Sequence, residues 1–218
     1  ITVSGGTLSS FIGSGKNYTV IFTPDANRIA DGVISVASSK FSDVGGDFNA
    51  DGGDSNNTAT ITVDTIVPTI TGVSATANNG SYKQSDVIAI TVGFNDVVNV
   101  TGIPQLTLET GSSDAVVNYS SGTGSSTLTF NYTIGSGETS DDLDYVATNS
   151  LALNSGTIKD AGLNDAILTL ASPGATNSLG GNKALIIDTT VPTVTGVTST
   201  TANGSYKQGD VIAITVRS

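Results

Sequence analysis

The chain has 218 residues, a formal net charge of −11 and no Cys, His, Met or Trp. Lacking thiols and imidazoles, it has no disulfide framework, no ordinary zinc or haem site and no Ser-His-Asp or thiol nucleophile. Its 8 basic residues against 19 acidic ones argue against nucleic acid or anionic lipid as a partner, and acidity paired with hard oxygen donors suits Ca²⁺ if any metal is bound.

Strand signals run from the start of the chain. Ile1-Thr2-Val3 opens on alternation, followed by Tyr18 to Thr23, Gly32 to Ala37 and Thr58 to Val63. Between the last two lies Asp47-Phe48-Asn49-Ala50-Asp51-Gly52-Gly53. It has Asp47, Asn49 and Asp51 at the first, third and fifth positions of a calcium loop and Gly52 at the sixth. Gly53 would offer a carbonyl at the seventh and Ser55 a hydroxyl or water at the ninth, with Asp43 or Asp54 as a further carboxylate. Thr58 stands where the bidentate Glu of an EF-hand belongs and no helices flank the loop, so a bare calcium loop and a solvated hairpin turn are the two readings. Further strands are expected at Asp86 to Phe94, Gln105 to Thr110, Ala115 to Tyr119, Ser126 to Ile134, Ala166 to Leu170 and Lys183 to Ile187. No window sustains a helical apolar period, and no apolar run reaches the roughly 18 residues of a membrane span, so neither helices nor membrane insertion is expected.

Residues 64–92 and 188–216 match at 22 of 29 positions with a constant offset of 124. A period of this size means an array of whole domains. The expected organisation is a partial module at 1–64, a complete module at 65–188 and the opening strands of a third at 189–218, the whole being a window on a longer protein. Short alternating strands with Gly, Ser, Asn and Asp turns predict an all-β chain of tandem Greek-key immunoglobulin-like β-sandwiches. Each core is to be closed by Val, Ile, Leu, Tyr and Phe. Both copies begin Asp-Thr-x-Val-Pro-Thr, at Asp64 and Asp188, and the proline makes the joint short and stiff.

These joints, the Gly80-Ser81-Tyr82-Lys83 segment that follows, and Leu151 to Asp160 resemble the bacterial Ig-like, cadherin-like repeats of very large secreted adhesins; residues 4–8 and 18–24 resemble the second half of another bacterial Ig-like repeat type. The resemblance implies an extracellular location and Ca²⁺ between modules, held by the joint residues Asp64 and Asp188, by Asp96 in Phe94-Asn95-Asp96, and by Asp160 and Asn164 in the Asp160-Ala161-Gly162-Leu163-Asn164 loop. A turn-capping role without metal is the alternative for the two joint aspartates. Asp43 lies in the first module's counterpart of that loop.

No pair of carboxylates in the acidic run Glu138 to Asp144 is marked for glycosidase work, and the run reads as a solvated loop. The chain is therefore not expected to be an enzyme. The leading expectation is a calcium-stiffened spacer whose partners are the neighbouring repeats. The alternatives are a module that itself binds a glycan or host surface, with Phe48 and Tyr82 as the aromatics outside strands, and self-association by strand donation. In the last, residues 193–198 and 210–216 complete the first module of the same or a neighbouring chain.

Overall fold

Alternation in residues 127–134 becomes the two faces of a strand in the computed structural model, which describes residues 1–218: Leu128, Phe130, Tyr132 and Ile134 are buried, while Thr127, Asn131 and Thr133 are exposed. That strand, β11, belongs to the second module. The module runs through β6 (Ile70–Ala75), β7 (Gly80–Tyr82), β8 (Val87–Thr101), β9 (Gln105–Leu108), β10 (Ala115–Ser121), β11 (Ser125–Thr133), β12 (Thr139–Ser140), β13 (Leu151–Ala152), β14 (Thr157–Lys159), a single helical turn α1 (Leu179–Asn182) and β15 (Leu185–Asp188). The larger sheet has the order β13-β9-β10-β11-β8-β14, with β6 also paired to β8; the smaller has the order β12-β15-β7. Leu185 and Ile187 of the smaller sheet join the core formed by Ile88, Ile90, Leu128 and Phe130 of the larger, so the two close as an immunoglobulin-like β-sandwich.

All 22 residues of this core fall between Val73 and Ile187, which leaves the flanking modules without one of comparable size. The first module has β1 (Thr2–Ser4), β2 (Gly6–Ser14), β3 (Asn17–Pro24), β4 (Gly32–Ser35) and β5 (Thr58–Ile61), arranged as a hairpin β2-β3 and a sheet β1-β4-β5. The expectation that its aromatics close a core is corrected: Phe11, Tyr18, Phe41 and Phe48 are all more than half exposed. Five strands in two small sheets leave an open groove of about 780 Å³, lined by Ile1, Phe11, Tyr18, Ile34 and Phe41 among others. The third segment is a bare hairpin of β16 (Gly196–Ser199) and β17 (Ile214–Arg217), paired only with each other.

Two sequence expectations change. Ala166 to Leu170 makes a single isolated bridge, Thr69 with Ile167. Ile167 N donates to the carbonyl of Pro68, and a proline cannot return the N–H that a ladder needs. The helical turn α1 arises where Ser178 caps it, its hydroxyl accepting from Gly181 N at 2.9 Å.

The repeat supplies an internal control on burial. Ile90 is fully buried and its counterpart Ile214 is 60% exposed, in identical local sequence. Ile90→Ala is expected to cost about 2–5 kcal/mol in denaturant unfolding, whereas Ile214→Ala stays within about 0.5 kcal/mol. Equal costs would mean that β17 is packed in solution.

Candidate metal centre

Three elements bring carboxylates to the boundary between the first and second modules. The first is a bulge in β8. Val98 faces Ser125 and Gly93 faces Thr127, so residues 94–97 leave the ladder with β11 while β11 advances by two. Asp96 sits in this bulge at the same parity as the buried Phe94 and Val98, so backbone alternation aims it into the module end. Its neighbour Asn95 clamps the incoming chain. Asn95 N donates to Thr69 O at 3.0 Å, and Asn95 Oδ1 accepts from Thr69 N at 2.6 Å.

The second element is the turn after β14. Strand β14 pairs with the far half of β8, Lys159 opposite Asn99, and the chain turns back through Asp160 to Asn164. Asp160 is 2% exposed. Its Oδ1 accepts from Asn164 N at 2.8 Å and its Oδ2 from Asn164 Nδ2 at 2.9 Å.

The third is the joint itself. Thr65 ties it to the first module: its Oγ1 accepts from Arg28 N at 2.9 Å and donates to Asp25 O at 2.8 Å. Asp64 Oδ1 accepts from Ile66 N at 3.1 Å, and Asp64 O accepts from Asn164 Nδ2 at 3.1 Å. Gly162 passes so close that an added Cβ would stand 3.0 Å from Asp64 Cβ. A side chain there would press the joint by a few tenths of an ångström.

Asp64, Asp96 and Asp160 thus converge, one carboxylate oxygen of each lying within 4.8 Å of the others, and they are the one such group of three in the chain. No Lys or Arg forms an ion pair with any of them; Lys159 is engaged by Asp165 at 2.8 Å. Like charges this close repel one another. Asn164 Nδ2 is the side-chain donor that offsets this.

The other anticipated ligands lie elsewhere. Asp188 is exposed at the second joint, where Thr190 N donates to its Oδ1 at 2.8 Å. Thr189 repeats the part of Thr65, accepting from Gly137 N at 3.1 Å and donating to Glu138 O at 2.9 Å. Asp43, Asp47 and Asp51 do not form a close group of three carboxylates. Asn49 Oδ1 accepts from Lys40 N and Phe41 N, and Asp43 Oδ1 accepts from Gly45 N and Asp47 N. These oxygens serve the turn's own amides. Thr65, Thr189, Asn95 and Gly162 are the joint residues that sequence reasoning missed; for the two threonines, retention of Asp-Thr in both copies is the available signal.

The acidic run Glu138 to Asp144 is only partly the solvated loop expected. Asp141 and Asp142 are exposed, but Asp144 is buried and accepts from Tyr145 N at 2.9 Å, Gly174 N at 2.8 Å and Leu179 N at 3.2 Å. Glu138 Oε2 accepts from Tyr132 Oη at 2.6 Å and Gly135 N at 2.7 Å. Both carboxylates are committed to structure.

Residues 1–60 match the family model described as Bacterial Ig-like domain, so this stretch is similar to that kind of module. Such domains are typical of extracellular or surface-exposed repeat proteins and are not catalytic as a kind. No curated protein and no solved structure gives a significant match to the chain. No helix is long and apolar enough to cross a membrane.

Burial, then the hydrogen bond and charge of Glu138, push the Tyr132 hydroxyl far above its ordinary value. Burial, then the charge of Asp144, push Tyr145 up to about 12. Because the folded state holds these protons more tightly, the stability they carry is complete below about pH 10 and is lost as pH rises toward and beyond about 12. Unfolding free energy measured in urea is expected to fall by about 1.4 kcal/mol per pH unit for each tyrosine above about pH 10. Tyr145→Phe should remove one share of that slope; an unchanged slope would contradict the assignment.

Proposed function

We propose that the chain is a stretch of a surface stalk, a spacer in the array of a large bacterial adhesin, whose first joint is stiffened by Ca²⁺ held between Asp64, Asp96 and Asp160. The observation that carries this reading is the convergence of three carboxylates from three separate elements, one of them the joint itself, with no basic partner. The donor chemistry fits. All the groups are hard oxygens, as Ca²⁺ prefers, and each carboxylate retains lone pairs beyond its bonds to Ile66 N, Val97 N and Asn164.

A cation bound there supplies the positive charge that the three aspartates lack. The chain's own residues do the mechanical part. Thr65 fixes the joint to the first module, Asn95 fixes Thr69 to the second, and the proline between them restricts the few residues left free. Removal of the cation restores repulsion at the boundary and lets the two modules pivot.

A thermal melt in EDTA and then in CaCl₂, with MgCl₂ as the control, tests this. Ca²⁺ at about 100 times its Kd adds about 2.7 kcal/mol, a rise of several degrees in Tm. Asp160→Asn and Asp96→Asn should each abolish most of the Ca²⁺-specific rise, whereas Asp51→Asn in the first-module loop should leave it intact. No rise, or a rise that survives Asp160→Asn, would overturn the reading.

A further inference from the structure

We propose that the second module resists tension along the chain through a clamp between its opening segment, residues 73–82, and its closing segment, residues 177–187, with Asn79, Asn182 and Lys183 as the side chains that lock it. Four hydrogen bonds lead up to the β7-β15 ladder, each joining residues more than 100 positions apart in sequence. Val73 N donates to Asn177 O at 2.9 Å, and Val73 O accepts from Asn182 Nδ2 at 2.7 Å. Ala77 O accepts from Lys183 Nζ at 2.9 Å, and Asn79 Oδ1 accepts from Ala184 N at 3.1 Å. Gly80 N then donates to Ala184 O at 3.0 Å, and the ladder continues with Gly80, Ser81 and Tyr82 in parallel register with Leu185, Ile186 and Ile187.

Topology decides how tension meets this band. Strand β6 begins with Ile70 opposite Phe94, at the end of β8 that adjoins the first joint. The other end of β8 pairs Val87 with Thr133, and the loop after β11 leads to Thr139, which faces Asp188 where β15 ends and the second joint starts. Tension between the two joints therefore draws β6 and β7 one way and β15 the other. Because β7 and β15 are parallel, the pair is loaded along its own length. Its bonds are evenly spaced, so they share the load and the strands must slide past each other to part. Tension applied at the C-terminal ends of β7 and β15, which lie together, breaks the same bonds one after another.

The locking side chains suit this role. Lys183 forms no ion pair, although the net charge of the chain is −11. Its half-buried ammonium goes instead to a backbone carbonyl, a charge-assisted bond about twice as strong as a neutral one. Asn182 closes the helical turn α1, which packs on β6, so its amide reaches Val73 from a fixed base. All these residues belong to the second module, and none bonds to Asp64, Asp96 or Asp160, so the clamp works without Ca²⁺. Its use rests on the stalk reading, since a chain held at both ends is one that carries tension.

Single-molecule pulling of the full chain in EDTA tests this. The chain has no cysteine of its own, so introduced thiols fix where the handles attach. Handles at Val67→Cys and Thr190→Cys draw the second module from entry to exit, whereas handles at Lys83→Cys and Thr190→Cys open the β7-β15 pair from one end. Forced unfolding follows the unfolding barrier, and the entry-to-exit direction should give the higher unfolding force. Lys183→Met should lower that force. Tyr145→Phe, which removes the bond from Tyr145 Oη to Ala171 O elsewhere in the module, should leave it unchanged. Should Lys183→Met fail to fold, the comparison of the two directions decides. Equal forces in both directions, or a loss in Tyr145→Phe as large as in Lys183→Met, would overturn the proposal. A melt that does not respond to Ca²⁺ would overturn the joint site and leave the clamp standing.

Discussion

The boundary between the first two modules depends on three like charges being held together. Asp64, Asp96 and Asp160 come from a joint, a bulge and a tight turn, and nothing basic lies among them. Such an arrangement persists only because the backbone around each carboxylate is tied down. Thr65, Asn95 and Asn164 provide those ties through hydrogen bonds that cross from one element to another. The joint is thus a place where hydrogen bonds from three elements hold three carboxylates close together.

The same local sequence has different fates along this chain. Val-Ile-Ala-Ile-Thr-Val occurs at residues 87–92 and 211–216. In the first place its inward residues meet β6 and β11 and disappear from solvent; in the second the hairpin β16-β17 carries them exposed. Propensity and alternation make the strand in both cases. Burial requires a body to pack against, and that is a property of the surrounding module, not of the hexapeptide.

Much of the architecture was legible before the structure, for reasons that can be named. Residues 127–134 alternate so strictly that only a strand with one face in the core fits them. The Asp-Thr-x-Val-Pro-Thr segment retained in both copies marked the expected joints. Asp96, Asp160 and Asn164 were reached through resemblance, and the structure places all three beside Asp64. Spacing alone did not show how the loop oxygens are used. Asp47 to Gly53 has the spacing of a calcium loop, yet Asn49 and Asp43 turn their oxygens to backbone amides, because short polar side chains in turns bond locally first. Asp144 looked like one more solvated carboxylate; besides the adjacent Tyr145 amide, it accepts from the distant amides of Gly174 and Leu179, and no local pattern announces such a partnership. The bulge at residues 94–97 was equally hidden, since it depends on how β11 and β6 register against β8.

The most direct test of the joint as a cation-controlled element is the distance between modules. Spin labels on cysteines at Ser9 in the first module and Ser112 in the second, the only thiols in the chain, report that distance as a distribution by pulsed electron resonance. The account predicts a broad distribution in EDTA that narrows to a single peak in CaCl₂, and no narrowing when Asp160→Asn is introduced. Distributions that are identical in EDTA and CaCl₂ would contradict it.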